Sequence, residues 1–423
     1  MHIELRCASL TTPRAVNPKH KRKTDIHTNN DMVTTSTNHN ALTGATIFDG
    51  HRLYKNHALL ITNDRVSAIC ERSAIPADSE IVNLNGGTLI PGLIDLQVNG
   101  GGGVLLNNNP TVQGIASICR AHAQLGTTSL LPTLITASAT VTEQAILAAI
   151  EAQHRKVPGF LGIHLEGPHL SVEKKGAHNA DLIRPMSDSD LELYTSAREQ
   201  LHCLMMTVAP ESVTDQQIET LAKAGITVSL GHSNASYEQC MSAFNAGATC
   251  ATHLYNAMSP LTHREPGLVG AALSHNKNSC GLIADGHHVH PAAIKHALKA
   301  KHRENPIFLI SDAMSLIGTT IDSFKLDGRQ VFRKGGRLEL SDGTLAGADI
   351  SLLDAVKFIV DSCDVEPEEA IRMATVFPAN CIGSVQTNGT LEPGQQANVV
   401  HLNDDYEVLQ VWRDGKPPEL QSG

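Results

Sequence analysis

The chain has 423 residues, 33 Lys plus Arg against 43 Asp plus Glu, and a formal net charge of −10. Hydrophobic residues make up 41% and charged residues 18%, enough apolar material for a large buried core. The acidic balance lacks the basic footprint of a nucleic-acid binder, and no apolar run approaches the ~18–20 residues of a membrane span, so neither nucleic acid nor membrane is expected as a partner. Nine cysteines, odd in number, scattered and never spaced C-x-x-C, argue for a reduced, cytoplasmic chain rather than a disulfide framework or a cysteine zinc site.

In chain order, residues 1–41 carry Lys19, Lys21, Arg22 and Lys23 and then a polar stretch at 34–40. With no apolar h-region they read as a disordered extension and not as a secretory signal. From Gly44 the pattern turns strand-like, with short apolar runs at 45–48, 58–62, 66–70 and 81–84 separated by turn residues, and it returns at 398–402 and 408–412. Two strand-rich ends predict one small β-sandwich domain assembled from 42–90 and 378–423. The middle, 91–377, alternates apolar strands with helical stretches. Strands are predicted at 93–98, 129–134, 160–165, 203–209, 227–231, 249–253, 281–284 and 307–311, with helices at 143–154 and 236–245 among the connections. Asp95 to Asp312 spans seven repeats of about 31 residues, close to the ~30 per unit of a (β/α)8 barrel. No G-x-G-x-x-G follows the first strand, which disfavours a doubly wound sheet. The expected class is α/β, a TIM-type (β/α)8 barrel.

In such barrels the functional groups sit at the C-terminal ends of strands. Those ends carry, in order, Asp95, Gln97 and Asn99; Glu166; His232; His253; Asp285 with His287 and His288; and Asp312. A carboxylate and two imidazoles from separate strands form a His2Glu set, a zinc arrangement that keeps one position open and lowers the pKa of a bound water from ~15.7 to ~7. Asp312 could accept that water's proton. Singly each residue has an ordinary explanation: Glu166 as an acceptor of backbone hydrogen bonds, His232 as a helix cap, His253 as a core histidine, Asp312 as the partner of a buried cation. At successive strand ends they point together to a metal.

Several runs then carry a resemblance. Pro91-Gly-Leu-Ile-Asp95 after a β-rich start resembles the barrel entry of the amidohydrolase superfamily. His164-Leu-Glu-Gly-Pro168, Lys175-Gly-Ala-His178-Asn179, Gly231-His-Ser-Asn-Ala235, Thr252-His-Leu-Tyr-Asn-Ala-Met258, Arg264-Glu-Pro-Gly267, Ala284-Asp-Gly286 and Ser311-Asp312-Ala313 resemble, in order, the N-acetylglucosamine-6-phosphate deacetylase family within it. The resemblance implies metal ligands at Glu166, His232 and His253, and Asp312 as catalytic acid/base with His178 polarising the acetamide carbonyl. It implies substrate contacts from Ala177, His178, Asn256, Ala257, Arg264, His288 and the Leu345-Ala346-Gly347 segment. Arg264 suits a phosphate because its guanidinium forms bidentate, charge-assisted hydrogen bonds; alone, it would more ordinarily pair with Glu265.

The implied reaction hydrolyses N-acetylglucosamine 6-phosphate to glucosamine 6-phosphate and acetate, in amino-sugar catabolism, by a homodimer in which a rim Arg reaches the neighbouring subunit. Alternatives are a deacetylase of the epimer N-acetylgalactosamine 6-phosphate, another amidohydrolase, and more remotely a non-catalytic sugar-phosphate-binding protein, which should have lost a ligand or the base. One departure stands out. Many amidohydrolases carry H-x-H on the first strand for a second metal, and this chain has Gln97-Val-Asn99. Amides lack the imidazole lone pair, so one divalent metal per subunit is expected. Zn²⁺ is the first choice, with Fe²⁺, Co²⁺ and Mn²⁺ as alternatives for a His2Glu set, and Gln97 and Asn99 would orient the water or the acetamide.

Overall fold

The computed structural model describes residues 39–302, 304–384 and 387–417. Of the extension expected over 1–41, all but the last three positions lie outside the described residues. Those three open a strand, His39–Thr43, in which Ala41 and Leu42 are fully buried.

Eight parallel strands form one sheet in sequential order: β1 (Leu93–Val98), β2 (Thr127–Ile135), β3 (Ile163–Glu166), β4 (Leu204–Val208), β5 (Thr227–Leu230), β6 (Cys250–Ala251), β7 (Ser279–Leu282) and β8 (Ile307–Leu309). Helices α1 (Val112–Ala123), α2 (Ala139–His154), α3 (Asp188–Gln200), α4 (Asp215–Lys223), α5 (Tyr237–Ala246), α6 (Gly267–Ser274), α7 (Pro291–Ala300) and α8 (Leu352–Cys363) follow the strands in turn. Packed between barrel interior and helices, the strands bury nearly every residue, which is why they read as continuous apolar runs. All eight predicted strands are present, 93–98 with its predicted bounds and the other seven with shifted ends. The largest shift is at 160–165: Phe160 makes only an isolated bridge to Leu130, and regular pairing starts at Ile163. Between them Gly162 has φ +155°, and a Cβ there would sit 2.1 Å from the Cys203 carbonyl oxygen, so the ladder is interrupted where the chain crosses another backbone. Helix α2 begins four residues before its predicted start because Ser138 Oγ accepts the Val141 N–H as N-cap. Helix α5 opens with a reciprocal capping box between Ser236 and Gln239.

Two further sheets precede and follow the barrel in sequence. One has four strands, Arg65–Glu71, His57–Thr62, His39–Thr43 and Glu80–Asn83 in that order. The other has five and interleaves the chain ends: Val408–Trp412 and Val399–Leu402 pair with Thr88–Pro91, which continues to Thr46–Phe48 and Leu53–Tyr54. Leu42, Ile47, Leu59, Val66, Leu89, Val399 and Trp412 form their shared core.

An element absent from the sequence reading lies between β8 and α8. Ser323–Leu326, Arg329–Lys334, Arg337–Leu340 and Leu345–Ala348 make a four-stranded antiparallel excursion sheet. Its turns are Asp327-Gly328, at φ +47° and +76°, and Gly335-Gly336, at +57° and +78°, the two-residue pairs with positive φ that suit twisted hairpins. Leu326, Val331, Leu338 and Ala346 pack with Ile135 and Met314 of the barrel mouth. Arg333 anchors the sheet: Nε and Nη2 donate to Asp349 at 2.6 and 2.8 Å, and the guanidinium also donates to the carbonyls of Leu316, Thr319 and Ile321 at 2.8, 3.0 and 3.0 Å. Arg333→Ala strands the half-buried Asp349 charge, at a cost of about 3 kcal/mol. Limited proteolysis should then cut within 323–348 while the barrel core stays resistant; an uncut excursion would show that Arg333 is not its anchor.

Candidate active site

Glu166 ends β3, and its Oε1 lies 3.2 Å from His232 Nε2 and 3.0 Å from His253 Nε2; the two imidazole nitrogens are 3.0 Å apart. All three residues are buried. His232 Nδ1 donates to the Lys174 carbonyl at 2.8 Å, so in the neutral ring Nε2 carries the lone pair. That lone pair faces a carboxylate oxygen and a second imidazole nitrogen. Three atoms able to serve as ligands converge on one point, an arrangement that suits a cation at its centre. A tetrahedral ion with bonds of about 2.0–2.1 Å needs ligand separations of roughly 3.3 Å, close to those present. The carbonyl on the far side of His232 is the outer partner that metal-bound imidazoles usually have. The chemistry of the donor set therefore fits a borderline divalent ion.

Backbone conformation reinforces this reading. His232, His253 and Asp312 adopt φ of +46°, +31° and +48°, in the left-handed region, which costs a non-glycine residue about 1–3 kcal/mol and is tolerated where geometry is over-determined. Each immediately follows or lies just beyond a barrel strand.

The amides of β1 stitch the carboxylates together. Gln97 Nε2 donates to Glu166 Oε1 at 3.0 Å and Asp312 Oδ1 at 3.3 Å, and Asn99 Nδ2 donates to Asp312 Oδ1 at 2.7 Å. Burial, then the Glu166 charge, raises the Asp312 carboxyl to about 6. Burial opposes ionisation of Glu166 too, but the His232 and His253 imidazoles packed against it outweigh burial and hold that carboxyl well below its ordinary value. Burial depresses His253, yet its bond to Glu166 wins and raises it. His178 lies with Nε2 3.9 Å from Glu166 Oε2. Its Nδ1 accepts the Thr136 N–H at 3.3 Å, with the Thr136 hydroxyl at 2.8 Å, which leaves the proton on Nε2, facing Glu166. Burial, followed by the neighbouring His232, lowers His178 to about 3, so it is a neutral donor. Beneath this layer His164 bridges the Leu96 carbonyl and the Thr207 hydroxyl at 3.0 and 2.8 Å, and Thr207, Thr252 and Ser229 continue the chain of hydroxyls.

These groups open into a cavity of about 290 Å³. Of the predicted residues, Asn99, Glu166, Ala177, His178, His232, His253, Asn256, Ala257, His288, Asp312, Leu345, Ala346 and Gly347 line it. Gln97 sits behind the carboxylates. The choice among three histidines is resolved by position: His288 reaches the cavity with Nδ1 2.6 Å from Asp285 Oδ2, His290 caps α7, and His287 is exposed. Burial works against the Asp285 charge, but its bond from His288 prevails and holds the carboxyl below its usual range. Arg264 is the exception. It is exposed on the loop before α6 and does not line the cavity. Nor does it pair with Glu265, whose Oε1 accepts the N–H groups of Tyr237 and Gly267 at 2.8 and 3.0 Å. Sequence reasoning missed the apolar wall of Ile135, Ile283, Met314 and Leu326, and missed Thr136 and Lys174, which orient the imidazoles.

A (β/α)8 barrel with a carboxylate and two imidazoles converging at the C-terminal ends of its strands, and an aspartate beside them, defines a class of hydrolases. The chain belongs to the amidohydrolase family, whose profile matches residues 88–417; a NagA composite domain matches 40–89. It is 43% identical over 340 residues to the N-acetylgalactosamine-6-phosphate deacetylase of Shewanella sp. (strain ANA-3), covering 80% of this chain and 85% of the relative. It is 33% identical over 379 residues to the N-acetylglucosamine-6-phosphate deacetylase of Haemophilus influenzae, covering 89% and 98%. The crystal structure of N-acetylglucosamine-6-phosphate deacetylase from Pasteurella multocida superposes with a TM-score of 0.87 at 35% identity, over 90% of this chain and 100% of that one.

The Glu166–His253 pair sets a pH signature in metal-free protein. A lowered carboxyl stabilises fully above its ordinary value of 4.5 and loses that contribution as pH falls through the folded value; a raised imidazole stabilises fully below 6.5 and loses it as pH rises. The Tm difference between metal-free wild type and Glu166→Gln should therefore be largest between these values and shrink on both sides. A pH-independent difference would mean that the pair is not ionised in the fold.

Proposed function

We propose that the protein hydrolyses the acetamide of N-acetylglucosamine 6-phosphate to glucosamine 6-phosphate and acetate, using one divalent metal, Zn²⁺ by preference, held by Glu166, His232 and His253. The observation that carries this is the convergence of three potential ligand atoms beside a buried aspartate in a chain that covers almost the whole length of relatives named for that activity. A metal at that point supplies Lewis-acid polarisation and an acidified water. His178, its proton kept on Nε2 by Thr136, offers a hydrogen bond to the acetamide oxygen. Asp312 accepts a proton from the attacking water and returns it to the departing amine. Gln97 and Asn99 keep its Oδ1 turned toward Glu166. Ala177, Asn256–Ala257, His288 and Leu345–Gly347 form the walls for the sugar phosphate.

No Lys or Arg lines the cavity among the described residues, although the substrate carries a dianion. That gap supports the reading in which Arg264, exposed and unpaired with Glu265, reaches the cavity of a neighbouring subunit in a homodimer. No described helix is long and apolar enough to cross a membrane, and a cytoplasmic catabolic role accords with this. The 43% identity to a galactosamine-epimer deacetylase favours a second reading, with N-acetylgalactosamine 6-phosphate as substrate.

Acetate release measured on both epimers decides between them, and absence of release from either would overturn the proposal. In the same assay Asp312→Asn should lose about 10²–10⁴-fold in turnover while one equivalent of metal stays bound. Near-normal turnover by that variant, or two tightly held metals both needed for activity, would contradict the roles given to Asp312, Gln97 and Asn99. Arg264→Ala should raise KM for the phosphorylated sugar at least about tenfold, as loss of a charge-assisted bidentate contact does, and leave hydrolysis of the unphosphorylated sugar little changed. Equal losses on both would assign Arg264 to the interface alone.

A further inference from the structure

Regular strand pairing around the barrel has one seam. The ladder runs unbroken from β1 to β8, but β8 and β1 share none; their ends are joined by a single bridge between Val98 and Ala313. Three backbone bonds cross there, from Asp312 N–H to Gln97 O at 3.0 Å, Asn99 N–H to Ala313 O at 2.9 Å and Gly100 N–H to Ala313 O at 3.0 Å. Beneath them the crossing is made by a side chain. Asp95, on β1, takes the Ser311 N–H on both carboxylate oxygens at 3.3 and 3.2 Å, and its Oδ1 also accepts the Gln97 N–H at 3.2 Å.

Asp95 is 0% exposed and has no ion-pair partner among the described residues. A buried carboxylate without a counter-cation is costly, and burial pushes this one up to about 7. An apolar residue would fill the same place at less cost if barrel closure were all that was needed. What Asp95 grips is the residue immediately before Asp312, and Asp312 itself has the left-handed φ of +48°. Through Gln97 it also grips the residue whose side chain donates to both Glu166 and Asp312. One carboxylate therefore holds the backbone on both sides of the Asp312–Gln97 contact.

We propose that Asp95 is a positioning residue for the reaction, fixing the turn after β8 so that the Asp312 carboxylate is presented to the reacting groups. This rests on the reading of Asp312 as the proton acceptor. The role needs acceptors, not charge: both backbone partners are donors, and an amide oxygen placed at Oδ1 would still receive one bond from each, giving up only the second contact of the Ser311 N–H, at Oδ2.

The test compares Asp95→Leu, which fills the volume without an acceptor, with Asp95→Asn, which keeps one. Asp95→Leu should fall about 10²-fold or more in kcat, the cost of a misplacement near 1 Å, with KM within about threefold and metal stoichiometry unchanged. Asp95→Asn should recover kcat to within about tenfold of wild type. If Asp95→Leu does not fold, Asp95→Ser, whose hydroxyl is too short to span both donors, is held to the same expectation. A folded, metal-bound variant without the acceptor that turns over at the wild-type rate would overturn the inference. So would an Asp95→Asn variant as slow as Asp95→Leu, or a loss of metal parallel to the loss of rate. Asp312→Asn is carried alongside: if it stays active, the reading of Asp312 fails; if it is inactive while Asp95→Leu is normal, only the positioning role fails.

Discussion

Three potential ligand atoms lie within 3.2 Å of one another, all buried, and their lone pairs repel unless a proton or a cation sits between them. Much of the barrel mouth can be understood as the means of holding them there. The Lys174 carbonyl turns His232 so that its lone pair faces inward, and Gln97 places a hydrogen on the Glu166 oxygen that both imidazoles approach. The left-handed turns at His232, His253 and Asp312 point the side chains across the mouth instead of along their strands. Each device opposes what an isolated chain would choose. The large apolar core supplies the surplus stability against which this strain and desolvation are set.

Charge is distributed in the site with unusual economy of cations. Glu166 is held ionised by its imidazoles, while Asp312, a short distance away across Gln97, is pushed up by burial and by Glu166. Two carboxyls in one pocket are thus driven in opposite directions by their neighbours, the kind of division that separates a charged carboxylate from one able to carry a proton. The amides at 97 and 99, which stand where an H-x-H pair would, donate to these two carboxylates.

The barrel, and the convergence of Glu166, His232 and His253, were legible in the sequence because both depend on local rules. Parallel strands buried on two faces appear as apolar runs at regular spacing, and strand ends carry the chemistry, so Glu166, His232, His253 and Asp312 could be read in order. The excursion sheet was missed although Asp327-Gly328 and Gly335-Gly336 are hairpin signals, because its strands are short and half-exposed and carry charges such as Arg329, Arg333 and Arg337. Thr136 and Lys174 were invisible for another reason. The first acts through a backbone N–H and a common hydroxyl and the second through a backbone carbonyl, so neither leaves a distinctive residue type in the sequence. Arg264 lies exposed and away from the cavity, a placement that its motif does not reveal.

The five-stranded sheet has a consequence for synthesis. His401 bonds to the Gly86 carbonyl, 315 positions earlier, and its strand lies against Thr88–Pro91, the segment that leads directly into β1. As the chain leaves the ribosome, that early strand keeps an open edge until the last segment arrives, long after the barrel strands have begun to pair. Contacts of such sequence separation form late, and unpaired edges invite wrong partners. The C-terminal strands thus act as a closing stitch for the five-stranded sheet: a message truncated a few dozen codons early would encode every residue around the cavity and still leave the product with a sticky, unfinished side.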